Sequence, residues 1–167
     1  MPAVSLEGDY PQTNPLDLVE EIVSANEWTF QRVSDDEILV NISGHWCDYC
    51  LCFTWCQEAS AMHFVCALNL KLSKRRRAAC HELLAMINAQ MWLGHFDLSP
   101  EGDLPTFRHT VLLRGARGAS VEQLEDLVDV AVSQCERFYP AFQFVLWDGR
   151  SPVDAVAAAL FDTVGEA

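Results

Sequence analysis

Basic side chains are scarce in this chain: 11 Lys and Arg stand against 24 Asp and Glu in 167 residues, a formal charge of −13. Nucleic acid and anionic membrane both select clustered cations, so the shortage argues against either as a partner. No apolar run approaches the ~20 residues needed to span a bilayer. Met1 to Tyr10 has neither a cationic start nor an apolar stretch, so no secretory signal is expected and the chain reads as cytoplasmic. A nucleophile elbow, a phosphate loop and a His-x-x-x-His pair are missing too, and with them the common signatures of catalysis. Apolar residues are not scarce: half the chain is hydrophobic. That rules out a disordered chain and suits one domain burying roughly 70% of its unfolded surface without metal or disulfide staples. Seven cysteines, an odd number, are expected to be reduced thiols in such a setting.

Residues 1 to 13 hold prolines, a glycine and acids without periodicity and read as a loose tail; a single domain is expected over 14 to 163. Asn14 before Pro15, with Asp17 following, is a helix start, and Leu16, Val19, Ile22 and Val23 give one apolar face. From Trp28 the period changes to 2. Trp28 and Phe30 precede a Ser34-Asp35-Asp36 turn, and Ile38, Val40 and Ile42 make a second strand. A third strand, about 48 to 57, sets bulky Tyr49, Leu51, Phe53 and Trp55 against small Cys50, Cys52, Thr54 and Cys56. A fourth, about 62 to 70, alternates in the same way.

Ser73 is placed to cap a helix with Cys80, Leu83, Leu84, Ile87 and Met91 inward, ended by Gly94. Asn88, near that end, is placed to bond the junction's free backbone groups. Phe96 and Leu98, then Phe107 to Leu113, form a hairpin in which Pro105 suits only an edge or a strand start. Ser120 and Gln123 stand at capping-box spacing before a helix carrying Val121, Leu124, Leu127, Val128, Ala131, Val132, Cys135 and Phe138, which Pro140 is expected to bend or end. Ser151-Pro152 with Asp154 starts a last helix carrying the apolar residues Val153, Val156, Ala157, Leu160 and Phe161. The expected fold is α+β in the order α-β-β-β-β-α-β-β-α-α: an antiparallel sheet with its helices on one face.

The other face of such a sheet would carry Cys50, Cys52, Cys56, Val65 and Ala67, fewer charges than a solvent face usually shows. Two readings stand: a second copy or another protein covers it, or the C-terminal helix wraps over it.

With Leu16 to Ile22, Trp46, Trp55, Ile87-Asn88, Gly94 to Leu98, Phe107-Arg108 and Tyr139 to Phe142 in this order, residues 14 to 160 resemble the YbjN family of bacterial proteins, described as sensory transduction regulators. That family is similar to the type III secretion chaperone fold, whose classical members are small, acidic, cytoplasmic homodimers holding unfolded client segments. The resemblance implies a regulatory or chaperone-like binding role and supplies no catalytic residue. It does not account for the cysteines.

His45, Cys47, Cys50, Cys52 and Cys56 fall within twelve residues, with Cys47 to Cys50 forming one CxxC. Structural zinc usually takes two such knuckles or a knuckle and a His pair. Cysteines i and i+2 on one strand face lie ~6.6 Å apart, too far to share an ion. A Cys47/Cys50 pair completed by His45 and His63 or Cys66 is the metal alternative, and redox use of the CxxC is another. The plainer reading, small side chains under a cover, is preferred, and no cofactor is expected.

Five of the eleven cations lie in Lys71, Lys74, Arg75, Arg76 and Arg77, where the bland reading is a solvated helix end and the functional one a contact for an acidic partner. Residues 1 to 60 have eleven acids and the single base Arg32. An acidic body with one basic patch suits association between proteins. His45, His95 and His109 are the candidate bases, each more simply structural; an enzyme would need a pocket joining two or more of them and Cys47. The reading as a whole is a non-enzymatic homodimer that binds polypeptide clients. Lys71, Lys74, Arg75, Arg76, Arg77, Cys52, Val65 and Ala67 are candidate partner contacts, and Trp28, Phe30, Trp46, Tyr49, Trp55 and Trp92 core or groove aromatics. A thiol- or metal-dependent sensor centred on Cys47 and Cys50 is the alternative.

Overall fold

The computed structural model describes residues 13–162 except 100 and 102, with backbone only at 161 and 162. The tail reading, save residue 13, and the Phe161 side chain lie outside the described residues. Chain order is α1 (Pro15–Ala25), β1 (Thr29–Ser34), β2 (Glu37–Ser43), β3 (Asp48–Cys56), β4 (Ala61–Leu68), α2 (Arg77–Asn88), β5 (His95–Leu98), β6 (Pro105–Leu112), α3 (Val121–Leu146) and α4 (Pro152–Asp162). All the strand pairs are antiparallel, in the order β1-β2-β3-β4-β6-β5, which is the expected α+β architecture.

Alternation on β3 and β4 builds the core. Tyr49, Leu51, Phe53 and Trp55 are buried, as are Met62, Phe64, Cys66 and Leu68, and they pack with the inner faces of the helices in one cluster. α1 lies on β2 and β3, α3 on β4, α2 on β5, and α4 on α2 and α3. The helix starts follow their local chemistry. Asn14 Oδ1 accepts the Leu16 N–H at 2.9 Å, and Ser120 and Gln123 close a capping box. Pro105 is the first residue of β6, where its missing N–H costs no ladder bond.

Three expectations give way to packing. Of the bend or end expected at Pro140, the end does not occur: α3 runs on to Leu146. An interior proline costs ~3 kcal/mol, but burying each of Phe138, Tyr139 and Phe142 around it gains ~1.5–3 kcal/mol. Ser73 makes no side-chain cap: Lys74–Arg76 form a 3-10 turn and the α-helix starts only at Arg77. Met91 falls after the helix, still packed on the core. On α4 the buried stripe is Ala155, Val156 and Ala159, so Val153 and Ala157 face out: the helix turns Ala155, Val156 and Ala159 toward α2 and α3.

Asn88 closes the junction between α2 and β5. Its Nδ2 donates to the Phe96 carbonyl at 2.9 Å, and its Oδ1 accepts the Phe96 N–H at 2.7 Å. Gly94, at φ +66°, makes the intervening turn, and a Cβ there would run into the Phe107 ring. Asn88→Ala is expected to lower unfolding free energy by about 2–4 kcal/mol, because it orphans a donor and an acceptor of a buried residue; urea denaturation followed by circular dichroism measures it.

Candidate functional site

The loop between β2 and β3 carries the His45 to Cys47 segment and is docked on α3. Glu136 Oε1 accepts the His45 N–H at 2.7 Å, the Trp46 ring stacks on Tyr139 at 5.8 Å, and the His45 ring meets the Trp46 edge. Gly44 sits where a Cβ would strike Tyr49 and Glu136, so the loop needs glycine for close approach. Cys47 packs against the core, whereas Cys50 follows the buried Tyr49 and points to the opposite face of the sheet. The CxxC cysteines therefore do not converge. Cys66 also faces inward, with its sulfur 3.6 Å from that of Cys135 on α3, while His63 faces outward. Among the described residues no three His, Cys, Asp or Glu side chains gather as metal ligands.

Thiol reactivity requires thiolate, and here the balance runs the other way. Burial pushes the Cys47, Cys50 and Cys52 thiols above their ordinary values, with Glu136 adding to the effect at Cys47 and Glu37 at Cys52. Burial lifts Cys80 to about 11. His109 lines a hollow of about 210 Å³ with Leu93, Phe107 and Val111 that holds neither His45, His95 nor Cys47.

Among the described residues no helix lies over the outer sheet face. α4 lies on the helical layer, so the reading in which it wraps this face is overturned. Strand register puts Leu39, Cys52, Val65 and Arg108 in one row and Asn41, Cys50, Ala67 and Thr106 in the next. Cys52, Val65 and Ala67 are thus brought together, half-buried only by their neighbours. One end carries a polar chain: Arg108 pairs with Asp97 at 3.1 Å and donates to His63 Nε2 at 3.4 Å, and His63 Nδ1 meets Thr110 Oγ1 at 2.9 Å. Since arginine can only donate, Nε2 accepts and the His63 proton sits on Nδ1.

The basic run stands apart from this face. Lys71, Lys74, Arg75 and Arg77 are exposed, and the Arg76 guanidinium lies over Gly149. Lys71, Lys74 and Arg77 share a hollow of about 370 Å³ with Glu101 and Asp103, so acids already face the cations there. Sequence reasoning missed a groove between α1 and α3. Val19, Ile22, Val23, Trp28, Phe53, Leu124 and Val128 form its apolar wall, Glu125 and Asp129 its rim, and its volume is about 210 Å³. Its signals were the alternation of apolar and acidic residues on both helices and Trp28, one of the candidate groove aromatics. Of the singled-out aromatics, Tyr49 and Trp55 are core, Trp28 and Phe30 pack at its edge, and Trp46 is 44% exposed. Trp92 is fully exposed, a correction that follows from its place in the turn after α2.

Two outcomes follow. In a native thiol titration Cys56 should react first, and Cys66, Cys80 and Cys135 only after denaturation. The His63 and His109 imidazoles are held below the usual value near 6.5, mainly by burial and, at His63, by Arg108. The unfolded chain therefore takes up protons first, so the stability these neutral rings contribute is present above pH ~6.5 and is lost as pH falls through their folded values. Urea midpoints should drop from about pH 7.5 to about 5.5, less steeply in His63→Gln.

Comparison with known proteins places the chain. No curated protein matches it. A crystal structure described as "YbjN, a putative transcription regulator from E. coli" matches with a TM-score of 0.51 over 88% of this chain and 93% of that one, at 10% identity, a likeness of fold. Residues 15–144 match the family described as "YbjN: Putative bacterial sensory transduction regulator", and the chain belongs to that YbjN family.

Proposed function

We propose that this protein is a regulator that works by binding another polypeptide, and that its partner segment is apolar and basic. The observation that carries this is the groove between α1 and α3. A floor of Val19, Val23, Phe53 and Val128 lies beneath the exposed carboxylates of Glu125 and Asp129. At about 210 Å³ it is smaller than the ~300–1,000 Å³ of small-molecule sites. It suits one large apolar side chain of a longer segment, anchored by burial and oriented by charge. The nearby cation Arg32 is already paired with Asp17 at 3.2 Å and Glu20 at 3.0 Å, so it does not neutralise the rim.

The family description is regulatory, and the E. coli relative is described as a transcription regulator. With a charge of −13 and its longest basic run facing Glu101 and Asp103, this chain is poorly equipped to hold DNA itself. Contact with a regulatory protein carries the same output without that requirement.

An amphipathic Leu/Lys peptide and its Leu/Glu counterpart, both fluorescently labelled, test the groove. The Lys peptide should bind and weaken severalfold between about 50 and 300 mM salt, and the Glu peptide should not. Glu125→Lys with Asp129→Lys should cost at least ~10-fold in affinity, while the equal charge change Glu58→Lys with Asp148→Lys should cost much less. Equal losses from both pairs would reduce the effect to net charge and remove the groove.

A further inference from the structure

The hollow beside His109 and the groove between α1 and α3 lie on opposite flanks of one helix. We infer that they form a single two-anchor site for a basic amphipathic helix laid across the N-terminal half of α3. The inference rests on the reading of the α1–α3 groove as a peptide site and specifies the partner that site takes. At ~100° per residue, Leu124 and Val128 of α3 turn toward α1, whereas Leu127 and Val130 turn toward β6. Each flank thus borders an apolar hollow, and the two are equal in volume at about 210 Å³.

The ridge between them is acidic. Glu122, Glu125, Asp126 and Asp129 stand at i, i+3, i+4 and i+7, a single helical face, and all four are exposed. Glu125 and Asp129 border the first hollow and Asp126 the second, and among the described residues lining the two none is Lys or Arg. A segment crossing α3 from one hollow to the other passes over carboxylates, which sets its charge. The second hollow also has apolar surface at its mouth: Leu93, in its wall, is 53% exposed, and Trp92 beside it in the chain is fully exposed. Exposed apolar surface of this kind marks a place where a partner gains by covering it.

Spacing selects the form of the partner. The hollows are separated by the width of α3, ~10–12 Å with its side chains. Residues i and i+7 of a helix share a face and lie ~10.5 Å apart, so two large apolar side chains at that spacing enter both hollows at once. Positions i+3 and i+4 fall between them on the same face, and Lys or Arg there meets Glu125, Asp126 and Asp129. Surface ion pairs contribute little by themselves. Burial of the two anchors supplies the affinity, and the cations orient the crossing. Seating the first anchor holds the second near its hollow, so the pair binds more tightly than either alone.

Fluorescence anisotropy on the whole chain tests the pairing, with a labelled helical peptide carrying Leu at i and i+7 and Lys at i+3 and i+4. It should bind at least ~10-fold more tightly than the same peptide with either Leu replaced by Ser. Val130→Trp, which fills the second hollow, should bring the two-anchor peptide to within about twofold of the single-anchor ones and leave those bound. Leu93→Ser, at an exposed position, should weaken the two-anchor peptide severalfold, and it keeps the test decisive if Val130→Trp disturbs the circular dichroism spectrum. One- and two-anchor peptides binding alike would overturn the pairing and leave the α1–α3 groove standing, as would an undiminished gain in the folded variants. Failure of every peptide to bind would remove both.

Discussion

Everything in this molecule depends on the segregation of large from small side chains across β3 and β4. Tyr49, Leu51, Phe53 and Trp55 with Met62, Phe64 and Leu68 point to the helices, and α3 closes over them with Phe138 and Phe142. Each large side chain so buried contributes ~1.5–3 kcal/mol, and the strand period of 2 obliges the alternate positions to face the other way. Because those alternates are mostly small and uncharged, the same choice that builds one core leaves a flat, weakly polar surface behind it.

That division also sorts the thiols. Inward Cys66 and Cys135 are core fillers in contact, while outward Cys50 and Cys52 belong to the open face. Cys47 ends at the core because Glu136 and Tyr139 of α3 hold the preceding residues of its loop. A sheet stands between cysteines that are three residues apart in the chain, and burial disfavours their thiolates. Polar groups obey the same geometry: Arg108, Asp97, His63 and Thr110 come from three strands and meet only because the register aligns them.

Much of the fold was legible because its signals are local. The Asn14 and Ser120 caps, the alternation after Trp28, the turn at Gly94 and the role of Asn88 each depend on residues within about ten positions. Expectations gave way where a distant contact outweighed a local preference, as when buried aromatics carry α3 through Pro140. The groove between α1 and α3 was less visible still, since its walls come from segments a hundred residues apart.

By itself, then, the sequence determined the element order, the two-faced strands, the scarcity of basic surface and the likeness to the YbjN family, because periodicity, capping and charge are carried by neighbouring residues. Only the tertiary structure decided that α4 joins the helical layer, that no described helix covers the outer sheet face, that Cys47 and Cys50 part company, and that Glu125 and Asp129 rim an apolar hollow. Those are outcomes of long-range packing, in which the burial of one surface determines what is left on the other.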